Sequence, residues 1–148
     1  DMLQAVQAHL PGQGVFVATA AVADWRPATA SDQKIKKDGS GQTPTLTFVE
    51  NPDILAAAAQ SEPARSGRLY CVGFAAESHD LLQHASAKRL RKQVPLLVGN
   101  IGPATFGRDD NALLLIDESG TQELPHAAKS LLARQLVAEI ARRLPPAP

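Results

Sequence analysis

Asp24 sits in the turn Ala23–Asp24–Trp25–Arg26–Pro27, directly after the apolar run VFVATAA of residues 15–21. A carboxylate just beyond the carboxyl end of a parallel strand is placed to hold a magnesium ion or a ribose hydroxyl. The same residue suits a turn cap paired with Arg26, and both roles stay open. Lys34, Lys36 and Lys37 crowd the polar segment 31–43, SDQKIKKDGSGQT. Ammonium groups there read as a solvated face or as a mobile flap that closes on phosphates, with Gly39 and Gly41 permitting movement. Lys88 and Lys92 are four apart in HDLLQHASAKRLRKQ and share one helix face. Such a pair repels unless an anion lies between its members. As cations in a last helical turn, they also complement the macrodipole. Phe74 ends the run LYCVGF, where an aromatic either packs on a nucleobase or joins the core; Glu77 follows as a metal or substrate ligand, or as a helix cap. Pro52–Asp53–Ile54–Leu55 opens a helix whose unpaired amides suit a polar ligand edge.

Other chemistries are excluded or weakened. Neither Gly-x-Ser-x-Gly, a Walker loop nor Gly-x-Gly-x-x-Gly occurs, and His9, His79, His84 and His126 show no metal-ligand spacing. Cys71 is the single cysteine, which rules out an internal disulfide and reads as a small buried hydrophobe in a reducing compartment. Fifteen basic residues balance fifteen acidic ones, and only six aromatics are present, none interleaved with the lysines. That balance argues against a nucleic-acid partner on KIKK or KRLRK. No apolar run approaches the ~20 residues of a membrane helix, and the expectation is a soluble cytoplasmic protein without a membrane partner.

The elements that must position these groups follow from hydrophobic period. Residues 2–10 have helical spacing. Residues 15–21, 44–50, 69–74 and 96–100 read as strands, and Asn51 caps a helix whose first position is Pro52. A helix is expected from His79 to Gln93. Residues 111–117 and 121–124 flank Glu118–Ser119–Gly120 as a hairpin. The last helix, 127–144, carries Leu131, Leu132, Gln135, Leu136, Ile140 and Leu144 on or near one face, before a Pro-rich end at 145–148. With 148 residues, 44% hydrophobic and 20% charged, this is one globular α/β domain. Its sheet is mainly parallel, with flanking helices and a C-terminal hairpin plus helix.

In order, AAVADWRPA (20–28), KIKK (34–37), NPDIL (51–55), VGFAAES (72–78) and AKRLRK (87–92) resemble bacterial phosphopantothenoylcysteine synthetases, the synthetase half of a bifunctional coenzyme A biosynthesis protein. DNALLLID around Asn111 fits the same family. The resemblance covers nearly the whole chain. It implies a Rossmann-like fold and ligase chemistry: CTP activates 4′-phosphopantothenate as an acyl-cytidylate, and cysteine then forms the amide. A non-catalytic Rossmann-type nucleotide-binding module is the alternative.

Carried over by motif, Ala18, Thr19 and Ala20 line the nucleotide site and Asp24 lies beside nucleotide and metal. Lys34 is the catalytic flap lysine and also meets the nucleotide. Pro52, Asp53, Ile54, Leu55 and Phe74 flank cytosine and ribose, while Lys88 and Lys92 bind phosphates. Mg²⁺ is the implied cofactor, and FMN is not expected, because it belongs to the flavin-dependent decarboxylase usually fused upstream. The family is homodimeric, and the stretch from Lys34 through Thr45–Val49 resembles its dimer arm. The first strand, glycine-rich turn and Ser-Asn-x-Ser-x-Gly segment of the family are missing. The chain is therefore expected to be the C-terminal two-thirds of the synthetase domain, catalytically impaired alone.

Overall fold

The computed structural model describes residues 1–30, 33, 34, 36, 39, 41, 43–101, 105 and 107–144. Ile35 and Lys37 of the flap, most of the expected mobile loop and the Pro-rich end fall outside the described residues. Two compact units form: Asp1–Thr19 with Ile54–Pro148, and Ala20–Asp53.

The larger unit is a five-stranded sheet ordered β1-β4-β5-β6-β7. Its strands are β1 (Val15–Ala18), β4 (Tyr70–Glu77), β5 (Leu96–Ile101), β6 (Asp110–Asp117) and β7 (Gly120–Ala128). β1, β4 and β5 are mutually parallel, while β6 is antiparallel to both β5 and β7. Four of the five strands therefore run one way, the mainly parallel sheet that the run of apolar segments implies.

Alternation divides each strand between two cores. Cys71 and Ala75 of β4, Leu97 of β5 and Ile116 of β6 face one cluster, shared with Leu55, Ala58 and Ala59 of α2 (Ile54–Ala59) and Ala85 of α4 (Leu81–Lys92). Val6 of α1 (Met2–His9) packs at its margin. Val72, Leu96, Val98, Leu113 and Leu115 face the other way, onto Leu132, Leu136 and Ile140 of α5 (Lys129–Arg143). Leu131, read as near that stripe, is instead 47% exposed, because the buried row runs strictly at i, i+4, i+8. The short α3 (Glu62–Arg65) links α2 to β4.

Gly73 marks the tightest approach of helix to sheet. A Cβ there would lie 2.5 Å from Leu55 Cδ2 and 2.8 Å from Leu97 Cδ1, so α2 can sit on β4 only because this position has no side chain.

Several boundaries differ from the sequence reading for local reasons. α4 spans Leu81–Lys92, shorter than 79–93, because Asp80 and Gln93 both adopt left-handed backbone at its ends (φ 46° and 55°). β7 continues to Ala128, where it pairs with Asp110, and so delays α5 to Lys129.

The smaller unit is a two-stranded antiparallel ribbon of β2 (Trp25–Pro27) and β3 (Phe48–Glu50). Trp25–Pro27 was expected as a turn; pairing with a segment over twenty residues away makes it a strand. The strand expected from Pro44 shrinks to three residues, Phe48–Glu50, and beyond it Ala28 N still donates to the Thr47 carbonyl at 2.8 Å. Among the described residues, no helix is long and apolar enough to cross a membrane.

Candidate functional site

In the larger unit, the parallel register pairs Ala18 with Gly73. The next residues, Thr19 and Phe74, are therefore neighbours. Thr19 lies just past the carboxyl end of β1, whereas Phe74, expected to end its strand, is inside β4, which continues to Glu77 because it pairs with β5 as far as Ile101. Thr19 is exposed. Phe74 is half-buried and packs against the α5-side core, so core packing takes up part of its ring. Ile54 and Leu55 are buried at 9% and 7% exposure, which commits their side chains to the core and leaves only main chain for a ligand.

β4 ends on Glu77, and α4 turns back so that Lys88 Nζ donates to Glu77 Oε1 at 3.0 Å. His84 Nδ1 lies 3.9 Å from the other Glu77 oxygen. Glu77 thus pairs with α4 side chains, while the helix cap position belongs to Asp80. Lys92 is half-buried one turn further along the same helix.

The structure revises one reading here. His79 and His84 showed no ligand spacing in the sequence. The turn between β4 and α4 nevertheless brings ligand atoms of His79, Asp80 and His84 within 4.8 Å of one another. A second feature left no sequence signal: a cavity of about 400 Å³ lined by Leu81, Thr105, Asn111, Leu114, Glu123 and His126. These residues come from four separate segments, so no local pattern could have announced them.

In the smaller unit, Asn51 organises the turn that carries Asp24. Asn51 N donates to the Asp24 carbonyl at 2.7 Å, and its Nδ2 to the Ala23 carbonyl at 2.8 Å. Arg26 Nη1 donates to the Glu50 carbonyl at 3.0 Å and to Asn51 Oδ1 at 2.9 Å. Two sequence readings change accordingly. Asn51 clamps a distant turn and does not cap α2, which starts at Ile54 beyond Pro52. Arg26 serves Glu50 and Asn51, and among the described residues the Asp24 carboxylate has no hydrogen bond or ion pair. An exposed hard oxygen donor on a clamped main chain fits Mg²⁺ coordination, which uses one or two carboxylates and phosphate oxygens.

Ala20, Pro52 and Asp53 are exposed in this unit, as are Lys34 and Lys36. Trp25, Pro27 and Phe48 share one ribbon face by register, with Trp25 60% and Phe48 53% exposed. Cys71 is 1% exposed, and burial pushes its thiol up to about 11, so it is no nucleophile.

Against known proteins, the chain is 40% identical over 147 residues to the coenzyme A biosynthesis bifunctional protein CoaBC of Escherichia coli K12, covering 97% of this chain and 36% of that protein. The CoaBC of Mycolicibacterium smegmatis is 40% identical over 150 residues, with 95% and 36% covered. The chain thus spans about a third of the length of these relatives. Among solved structures, a CoaBC C-terminal domain superposes with a TM-score of 0.71 at 26% identity, covering 95% of this chain and 59% of that one. A Cab2 mutant in complex with phosphopantothenate-cysteine shares the fold, with a TM-score of 0.63 at 17% identity, covering 86% and 44%. These relatives agree with the family resemblance read from the motifs, and a family model matches residues 1–144. The chain belongs to the DNA/pantothenate metabolism flavoprotein C-terminal domain family.

Proposed function

We propose that the protein carrying this chain is a phosphopantothenate–cysteine ligase of coenzyme A biosynthesis that uses CTP. The observation that carries this reading is the Ala18–Gly73 register, which sets Thr19, just past the carboxyl end of β1, beside Phe74 of the parallel neighbour β4. Open parallel sheets bind ligands at that end. Family membership supplies the chemical class.

The pantothenate carboxylate attacks the α-phosphorus of CTP, and the bond to pyrophosphate breaks. The cysteine amine then attacks the acyl carbon of the acyl-cytidylate, loses a proton and expels CMP. Neither step needs a protein nucleophile, which agrees with a protonated, buried Cys71. Charge neutralisation and positioning carry such a reaction. Mg²⁺, when bound, supplies part of that neutralisation. Asp24 is the residue of this chain suited to hold it. Lys34 acts on the acyl-cytidylate from its exposed segment, and Lys88 and Lys92 meet the phosphates. Main-chain groups of Ala18, Thr19 and Ala20, with Pro52 to Leu55, complete the nucleotide contacts.

Homodimerisation through the ribbon is part of the reading: the exposed face of Trp25, Pro27 and Phe48 is apolar surface that a second copy would cover. Fusion to a flavin-dependent decarboxylase agrees with the chain spanning 36% of its bifunctional relatives. The FMN site belongs to that other half, and the setting is cytoplasmic.

Pyrophosphate release by the complete protein tests the proposal, with 4′-phosphopantothenate, Mg²⁺ and CTP or ATP, with and without cysteine. CTP-dependent release that requires phosphopantothenate is expected. No release with either nucleotide from folded protein would reduce the chain to a nucleotide-binding module.

A further inference from the structure

The turn between β4 and α4 carries a second kind of chemistry that the ligase reading does not use. Its components are two imidazoles and a carboxylate, His79, Asp80 and His84, each offering a ligand atom within 4.8 Å of the others. The rings meet edge to face with centroids 5.2 Å apart. His79 Nε2 lies 4.0 Å from Asp80 Oδ2. The other ring nitrogen of His79, Nδ1, is held at 2.8 Å by the Ser78 hydroxyl. A polar partner on the second nitrogen is how proteins orient a ligating histidine. Asp80 makes no side-chain capping bond to α4, so its carboxylate is not spent on the helix.

We propose that His79, Asp80 and His84 form a binding site for a divalent transition-metal ion of the zinc class. Imidazole nitrogen with one carboxylate suits zinc, cobalt, nickel or copper, whereas magnesium prefers oxygen ligands. The donor set is therefore chemically unlike the lone carboxylate at Asp24.

Bonds of about 2.0–2.1 Å to nitrogen in a tetrahedral site put ligand atoms roughly 3.3 Å apart, so the groups must close by at most about 1.5 Å. Their side chains are 70%, 66% and 42% exposed, in the order His79, Asp80, His84, and have room to rotate. Three protein ligands leave one position open, the arrangement of a reactive or regulatory site, not a closed structural one. Glu77 offers a further carboxylate, 3.9 Å from His84 Nδ1. The positive end of α4 disfavours a cation here, and the carboxylates of Glu77 and Asp80 oppose it. Lys88 is a further positive charge near the site, already matched by Glu77. Bound metal would tie the β4–α4 turn into a chelate and stabilise it by mass action.

Cobalt(II) titration of the tag-free intact protein, followed by visible absorption, tests the site without reference to ligase activity. The expected result is one Co²⁺ per chain, with ligand-field bands that Zn²⁺ abolishes and millimolar Mg²⁺ leaves unchanged. His84→Ala and His79→Ala should each weaken Co²⁺ binding about tenfold or more. His9→Ala and His126→Ala should not, and circular dichroism should report every variant folded. Absence of bands, displacement by Mg²⁺, or bands that survive the His79→Ala/His84→Ala double variant would each overturn the proposal.

Discussion

The Lys88 ammonium donates to Glu77 at the end of β4, with 29% and 16% of the two side chains exposed. A cation proposed for phosphates is thus held in place by a carboxylate eleven residues earlier. The pair joins the carboxyl end of a central strand to the middle of α4 and contributes up to about 1 kcal/mol.

That pairing predicts opposite effects from its two members in the complete protein. Lys88→Ala should raise the KM for CTP about tenfold with kcat little changed, the signature of lost uniform binding. Glu77→Gln frees the ammonium and should lower that KM about two- to threefold, the scale of a surface ion pair. Pyrophosphate-release kinetics measures both, and unchanged nucleotide KM in both variants sinks the phosphate role of Lys88.

Lys34 should behave differently. Lys34→Gln is expected to slow amide formation about 100-fold or more, on the scale of a lost transition-state charge contact, while nucleotide binding stays within about twofold. Comparing cysteine-dependent product formation with equilibrium CTP binding separates the steps. A variant that loses CTP affinity but keeps amide formation per bound nucleotide refutes the assignment.

Gly73→Ala tests helix–sheet packing. Its Cβ would meet Leu55 and Leu97 at 2.5 and 2.8 Å, so one of these neighbours must shift. The expected cost is about 1–3 kcal/mol, with a Tm lower by several degrees. Thermal unfolding by circular dichroism reads it directly, and an unchanged Tm would mean that α2 does not rest on this strand position.

Acid should loosen the seam between α5 and the β6–β7 hairpin. Hydrogen bonds from Arg142 and Arg143 hold the Glu139 carboxyl down from 4.5 to about 2. Burial pushes Asp117 up, but hydrogen bonds from Ser119 and Arg143 outweigh it and leave Asp117 below its ordinary value. Arg143 also donates to Gln122, so one guanidinium ties helix to hairpin. As pH falls, the unfolded chain takes up these protons first. The stabilisation is therefore complete above the ordinary carboxylate range and is lost from about 4.5 toward about 2. Melting curves from neutral to acid pH should show Tm falling there, with a shallower fall in Arg143→Met.

Much of this arrangement is legible in the chain. β4 and β5 are apolar runs too short for helices, and both proved to be buried strands. Leu132, Leu136 and Ile140 follow the helical period and bury accordingly. Phe74 ends the apolar run LYCVGF but not its strand, because pairing with β5 carries β4 on to Glu77, beyond what local hydrophobicity shows. Trp25–Pro27 lacks any local pattern, since a three-residue strand exists only through its partner Phe48–Glu50.

What the residues determine alone is whatever depends on short-range period and side-chain chemistry. That includes the α/β class, the strand and helix nuclei, the inert buried cysteine and the family motifs. Tertiary structure decided which distant groups meet. It assigned Asn51 to the Asp24 turn, Arg26 to Glu50 and Asn51, Lys88 to Glu77, and drew His79, Asp80 and His84 together. The physical reason is that hydrophobic burial is periodic along a chain, whereas a hydrogen bond or ion pair is satisfied by any partner the fold delivers within about 3 Å.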